Sequence, residues 1–269
     1  MNFFVEGLQG SGKSTLVQAL HRADSAYTPV MEGDYSPVEL AWCAYVDADA
    51  YRGILDKYDR IRRQIEEKTV AEGDKRIICY TKIHTDIPGF YQDLEQYEIY
   101  NGRRPAGEFR DIVLGRYRRW QDDKKIYECS LLQNTVEDMI LFRQAPDGEI
   151  LQFYRQAADA LSGRDFRILY LETEDIPASI AAVKRERVDS RGEERWFAMV
   201  CEYFNASPWA RANGRRDFDG FVAHLRHRQA LETRICREIF PDKAILLKSK
   251  RTDAFLAAWK NKNERGEKK

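Results

Sequence analysis

Residues Gly7-Leu8-Gln9-Gly10-Ser11-Gly12-Lys13-Ser14 match the spacing G-x-x-x-x-G-K-[ST], and they lie between a short apolar run and a segment with helical spacing. That order of residue types suits one task, the grip of a polyphosphate. Glycines let the chain fold tightly around phosphate oxygens, and successive backbone N–H groups then point inward as a nest. A helix beginning near Lys13 adds its partial positive end. Lys13 is expected to reach the β- and γ-phosphates, the Ser14 hydroxyl to ligate Mg²⁺, and Thr15 to cap or pack the helix start. Gly7, Gln9, Gly10, Ser11, Gly12, Lys13, Ser14 and Thr15 are therefore the expected nucleotide-binding residues, with ATP and Mg²⁺ as cofactors. A dinucleotide is a poorer fit. After Gly10-Ser11-Gly12 the chain continues Lys13, Ser14, Thr15, so the third glycine of G-x-G-x-x-G is missing.

Such a loop needs strands and helices to hold it. Strands are expected at Asn2 to Glu6, Thr28 to Met31, Arg76 to Thr81, Lys125 to Cys129, Phe166 to Leu171 and Ala244 to Leu247, each rich in β-branched, aliphatic or aromatic residues. Between them run helical patterns. Tyr51 to Glu72 places Ile54, Leu55, Tyr58, Ile61 and Ile65 on one stripe, and further helices are expected at Glu108 to Trp120, Leu131 to Arg143, Ile150 to Leu161, Ile176 to Arg187, Glu194 to Phe204 and Phe218 to Phe240. Alternating strands and helices imply a parallel sheet covered on both faces. The reading is one α/β domain over residues 1–261, a three-layer P-loop NTPase fold with a mainly parallel sheet and helical insertions. Residues 262–269 form a charged tail expected to fray, and residues 88–105 are the least regular.

The 269 residues carry 43% hydrophobic and 33% charged side chains, with 44 Lys+Arg against 44 Asp+Glu. No net field draws the chain to nucleic acid or an anionic membrane. Five widely spaced cysteines without a C-x-x-C pair fit reduced thiols. No apolar run approaches the length that spans a bilayer, so a cytoplasmic protein without nucleic-acid or membrane partners is expected, with a homodimer left open.

Val5-Glu6-Gly7-Leu8-Gln9-Gly10-Ser11-Gly12-Lys13-Ser14-Thr15 resembles the opening of the thymidylate kinase and deoxynucleoside kinase families, where a Glu-Gly pair begins the phosphate loop. Leu171 to Arg187 resembles their fourth strand and the helix leading to an arginine-bearing lid. The quoted residues cover about a tenth of the chain, a superfamily pattern. The resemblance implies an acid at the end of the second strand, here within Val30-Met31-Glu32-Gly33-Asp34, and an acidic motif at the end of the third, here Tyr127-Glu128-Cys129-Ser130. That motif is similar to the Glu-Arg-Ser of deoxynucleoside kinases, with Cys129 where their arginine stands. Tyr35 to Trp42 only partly resembles the Glu-Pro-Val turn of that family. Segments around Glu95 to Arg103 and Glu128 to Asn134 resemble stretches of bacterial P-loop proteins, which implies the fold and no activity.

Strand ends in an open α/β sheet converge on one crevice, so acids far apart in sequence can meet there. Glu32 is the first candidate base for an acceptor hydroxyl, Asp34 the second, and Glu128 is assigned to metal organisation, so that Ser14 and Glu128 are the expected metal residues. Each acid taken singly reads equally well as a solvated loop carboxylate. Arg185, Arg187 and Arg191, with Lys184 and Arg195, would bring positive charge over a transferring phosphoryl group as a lid. The competing reading is a solvated basic face balanced by Glu186, Asp189, Glu193 and Glu194. His224 and His227 lack a third zinc ligand in the pattern. Arg116, Arg118 and Arg119 beside Trp120, with Tyr91, Tyr97 and Tyr100, read as core and rim, and Cys129 as a packed thiol.

The function expected is Mg²⁺-dependent transfer of the γ-phosphoryl group of a nucleoside triphosphate to a small-molecule acceptor, a nucleoside or nucleotide among the candidates. The alternative is a P-loop ATPase or nucleotide-dependent switch acting on a macromolecular partner. A third class is a transferase using the loop for another sulfo or phosphate donor, without Mg²⁺.

Overall fold

A computed structural model describes residues 1–188 and 192–266. Strand β1 (Asn2–Gly7) leads into α1 (Lys13–Ala23) and β2 (Thr28–Val30). There follow β3 (Ala44–Asp47), α2 (Ala48–Lys57), α3 (Arg62–Glu67), β4 (Thr69–Glu72), β5 (Lys75–Ile78), α4 (Phe90–Glu95) and α5 (Ala106–Arg119). The chain continues with β6 (Lys125–Glu128), α6 (Gln133–Leu141), α7 (Asp147–Ala160), β7 (Phe166–Glu172), α8 (Ile176–Glu186) and α9 (Arg195–Ala206). It ends with α10 (Pro208–Ala212), α11 (Phe218–Glu238), β8 (Ala244–Lys248) and α12 (Asp253–Gly266). These elements form two compact units, Met1–Pro29 with Gln121–Lys269, and Val30–Trp120. They subdivide the single domain read over residues 1–261, and α12 takes in the first part of the charged tail.

The first unit is an α/β arrangement on a five-stranded sheet of order β2-β6-β1-β7-β8. Its β6–β1, β1–β7 and β7–β8 pairs are parallel, with Phe4 opposite Tyr127 on one side and Ile168 on the other. Every residue of β1 is buried, as a strand covered on both faces must be. Phe3 packs edge-on against Trp259 of α12, and the next residue, Phe4, stacks on Tyr127 and meets Phe166 edge-on. Alternate side chains thus fill opposite faces of the sheet. Strand order reverses at β1, because the chain moves outward to β2, returns to β6 beside β1, and then places β7 and β8 on the other side. In open α/β sheets such a switch point is where ligands bind, at the carboxyl ends of the strands.

The second unit carries an antiparallel sheet of order β3-β5-β4. Glu72 pairs with Lys75, which leaves Gly73-Asp74 as a two-residue hairpin turn, and Gly73 supplies its positive φ of 58°. A core of Ala44, Val46, Ile54, Leu55, Ile65 and Phe90 among others lies against this sheet.

Two sequence expectations change here. The helix read over Tyr51 to Glu72 is broken: α2 stops at Tyr58, a single 3₁₀ turn spans Asp59–Ile61, α3 ends at Glu67, and Thr69–Glu72 is strand. The apolar stripe survives because Tyr58, Ile61 and Ile65 all face one core, so its period gave no sign of the break. Arg76 to Thr81 was expected in the parallel sheet; its strand, β5, belongs to the antiparallel one and ends at Ile78. Strands β3 and β4 were not read at all.

Candidate functional site

The turn from Gly7 to Ser14 is fixed by its backbone. Gly7, Gly10 and Gly12 have φ of 140°, 76° and 95°, a range that residues bearing a Cβ avoid. A Cβ on Gly7 would stand 2.7 Å from the Leu171 carbonyl oxygen, and one on Gly10 would stand 2.1 Å from Val183 Cγ2. Glycine is therefore required twice over, by dihedral and by space. Gly12 is the N-cap of α1, and no side chain caps the helix. The first-turn N–H groups of α1, which have no intrahelical acceptor, face the turn uncapped. Thr15 does not fill the capping role expected of it; its side chain is exposed.

Lys13 is buried, and its Nζ donates to the carbonyl oxygens of Gly7 at 2.9 Å and Leu8 at 2.8 Å. The ammonium is thus folded over the turn. Ser11 is fully buried, and its hydroxyl has no hydrogen-bond partner. The Ser179 hydroxyl, on α8 beside Gly10, is also buried and unpartnered. Ser249, just past β8, donates its hydroxyl to the Ser11 carbonyl at 2.8 Å.

Ser14 and Glu128 are 114 residues apart, yet the Ser14 hydroxyl donates to Glu128 Oε1 at 2.5 Å. Parallel pairing of β1 with β6 sets this meeting, since Val5 lies opposite Glu128 and the Cys129 N–H donates to the Val5 carbonyl. Cys129 is buried with φ of 58°, a sharp turn that ends β6 as the Glu128 side chain leaves it.

The other expected residues are placed as follows. Arg185 and Arg187 are exposed; Arg187 sets its guanidinium 4.9 Å from the centre of the Trp196 ring, and Arg191 lies outside the described residues. Arg187 is the C-cap of α8, and its backbone N–H donates to the carbonyl of Val183, the residue that touches Gly10. Lys184 pairs with Glu194 at 2.8 Å, a contact of the solvated-face reading. Glu32 and Asp34 belong to the second unit. There Glu32 accepts from Trp42 Nε1 at 2.9 Å, while Asp34 accepts from the Met31 N–H at 3.0 Å and pairs with Lys82 at 3.1 Å. Arg116, read as core or rim, is a buried cation held by Glu72 at 2.6 Å in that unit.

No protein-family model matches this sequence, and no curated protein matches it either.

Two groups at the turn were not anticipated. Glu6 is wholly buried and accepts from the backbone N–H of Leu131 at 2.7 Å and Gln133 at 3.1 Å, which ties the end of β1 to the start of α6. Burial pushes its carboxyl up to about 8, against the lowering effect of those two N–H donors. Arg228 of α11 is the second. It is fully buried, and its Nη2 donates to Gln9 Oε1 at 2.8 Å, inside the turn. Glu137 and Glu232 pair with the same guanidinium, and Tyr170 donates to Glu232 at 2.7 Å. Burial holds Glu232 above the ordinary carboxyl range, partly offset by Arg228. Spacing could not reveal Arg228, which lies 219 residues from its contact. Glu6 stood beside the motif, but a lone acid in a buried strand carries no periodic signal.

Proposed function

We propose that this chain is a Mg²⁺-dependent P-loop phosphotransferase, in which the Gly7–Ser14 turn holds a nucleoside triphosphate and passes its γ-phosphoryl group to a small-molecule acceptor. The observation that carries the reading is the Ser14–Glu128 hydrogen bond at the carboxyl ends of β1 and β6. It joins a hydroxyl and a carboxylate, both oxygen donors, at the switch point of the sheet. Mg²⁺ is commonly held by one or two such groups together with substrate phosphates and waters. One hydroxyl and one carboxylate are too few to fill the Mg²⁺ shell alone, so a site completed by substrate phosphates and waters is the arrangement these donors fit. The unpartnered Ser11 hydroxyl and the uncapped start of α1 both suit a polyanion.

In this reading Mg²⁺, when bound, offsets charge on the phosphates. The chain's own groups do the rest. Backbone N–H groups of the turn orient the phosphates, and Lys13 exchanges its carbonyl acceptors for phosphate oxygens. Glu128 orients the Ser14 hydroxyl, and Arg228 steadies Gln9 and with it the middle of the turn. Arg187, which caps the end of the helix whose Val183 covers Gly10, is the proposed lid cation, with Arg185 near it in sequence. Glu32 and Asp34, which follow the carboxyl end of β2, are the proposed acceptor bases. The three-layer P-loop fold belongs to the same proposal and is supported by the parallel sheet with its reversal at β1.

The test is direct. Purified full-length protein is incubated with Mg²⁺ and γ-labelled ATP against pooled nucleosides, nucleotides and other hydroxylated metabolites. Label transferred to an organic acceptor is the expected result. Label released only as inorganic phosphate overturns the transferase in favour of the ATPase, and no heat of association with any common triphosphate overturns nucleotide binding altogether.

A further inference from the structure

The second unit contains a pair of thiols that the proposed phosphoryl transfer does not use. Cys43 and Cys79 are both buried, at 0% and 5% exposure, with their sulfurs 3.7 Å apart. Their placement follows from strand pairing. Ala44 of β3 lies opposite Ile78 of β5 in antiparallel register, so Cys43 and Cys79 are the next pair across, just past the end of the ladder. Neither backbone N–H is used between them: that of Cys43 donates to Leu40 and that of Cys79 to Lys68. A cross-strand pair that exchanges no backbone hydrogen bonds is the closely spaced kind, with Cα atoms about 4.5 Å apart. That spacing falls within the range a disulfide accepts, about 4.4–6.8 Å. The two sulfurs need only close their gap by side-chain rotation, with no shift of register.

We infer that Cys43 and Cys79 form a reversible disulfide by exchange with a low-molecular-weight disulfide such as oxidised glutathione. Cys79 is the attacking thiol, because it is the less buried of the two and receives the S–H of Cys43. That hydrogen bond, with Lys82 and Lys68 nearby, holds the Cys79 thiol below its ordinary value, while Cys43 is held well above its own as the donor. The Cys79 thiolate forms a bond to one sulfur of the small disulfide and expels the other as a thiol. Cys43 then loses its proton, attacks the Cys79 sulfur and expels the second small thiol. Two protein thiols are oxidised by two electrons, and one disulfide is reduced to two thiols.

The bond would staple two segments that hold one loop. Trp42, next to Cys43, donates to Glu32; Lys82, three residues beyond Cys79, pairs with Asp34; and the Thr81 hydroxyl donates to the Trp42 carbonyl at 3.5 Å. A Cβ on Gly33, between the two acids, would already stand 2.9 Å from Thr81 Oγ1. Oxidation thus acts on the loop bearing Glu32 and Asp34.

The experiment places the full chain in glutathione buffers of graded ratio, quenches by acid, and alkylates all remaining thiols under denaturing conditions. The expected result is joint loss of alkylation at Cys43 and Cys79, a linked peptide lighter by two hydrogens, and full recovery with dithiothreitol. Retained alkylation at both cysteines in the most oxidising buffer overturns the inference. So does a glutathione adduct that persists on Cys79 without a linked peptide, since it shows that Cys43 does not resolve it. The readout involves no nucleotide, so it stands apart from the test of phosphoryl transfer. Because it is made on the natural sequence, it does not depend on a serine variant folding.

Discussion

The turn after β1 and the turn after β2 both present polar groups at the end of a strand, but they are held by different means. The first is fixed from beneath: Gly10 abuts Val183, Gln9 is held by a fully buried arginine, and Lys13 folds onto two carbonyls of its own turn. The second is held from outside, by Trp42 on Glu32 and Lys82 on Asp34, with Trp42 at 40% exposure. Partly exposed ion pairs such as Lys82–Asp34 contribute about 0–1 kcal/mol and are screened by salt. In the proposed phosphotransferase the donor turn is thus the one held by buried contacts, and the proposed acceptor loop the one held by partly exposed ones.

Four experiments break or sharpen this contrast. The largest effect is expected at Lys13. Lys13→Ala should lower phosphoryl transfer by about 10²–10³-fold, the scale for removing one charge-stabilising group from a transition state, with circular dichroism and unfolding midpoint near those of the natural chain. If Glu32→Gln and Asp34→Asn each cost more than Lys13→Ala, the acceptor loop is the more exacting region and the comparison is reversed.

Next comes the buried cation beneath the turn. Arg228→Met leaves Glu232 buried without its guanidinium and removes the anchor of Gln9. Stranding a buried charge in this way costs about 3 kcal/mol or more, read from the urea midpoint. Adding Glu232→Gln should recover part of the loss. A double variant no more stable than the single one would show that packing, and not charge, sets the value of this site.

A smaller effect is expected at the oxygen pair. Ser14→Ala and Glu128→Gln should each weaken apparent Mg²⁺ affinity, measured as the Mg²⁺ dependence of ATP binding, by roughly 10–100-fold, the scale for groups that tune a metal site. Because the two side chains are bonded to each other, the double variant should fall well short of the product of the single effects. Strict additivity would mean that they act independently.

Legibility in the sequence divides along the same line. Strands β1 and β7 of the first unit were read nearly to their ends because both are largely buried and each gives a continuous apolar run, Phe3-Phe4-Val5 and Ile168-Leu169-Tyr170-Leu171. The glycine turn was readable because tight dihedrals admit few residue types. The second unit was readable only in part, at β5 and α5. Its strands β3 and β4 have four residues each and mix exposed with buried or half-buried positions, too short for a period to show. Arg228 and the Cys43–Cys79 pair depend on contacts between distant segments, which local spacing does not encode. Glu128 was singled out because the family resemblance implies an acidic motif at that strand end, and the structure sets its carboxylate against the Ser14 hydroxyl.

The last effect concerns pH and has opposite signs at two buried groups of the first unit. The Glu6 carboxyl is raised from its ordinary 4.5 to about 8, so between those values the folded chain keeps a proton that the unfolded chain has released. Its stabilising contribution is complete below about pH 4.5 and is lost as pH rises through about 8. His224 is the reverse. It is fully buried and stacked on Phe204, and burial lowers it from 6.5 to about 3. Here the unfolded chain takes up a proton that the folded chain refuses, so stability is lost as pH falls below about 6.5. In the second unit Glu98, raised by burial to about 7 and bonded to the Tyr80 hydroxyl, tilts in the same direction as Glu6. Urea midpoints at about pH 4, 6 and 8 should therefore show Glu6→Gln flattening the alkaline fall and His224→Phe flattening the acid one. Glu98→Gln should flatten the alkaline fall separately and, if the two units unfold as distinct steps, only in the step belonging to Val30–Trp120. An alkaline limb unchanged in both glutamate variants would place the titrating groups elsewhere and remove burial of these carboxyls as its cause.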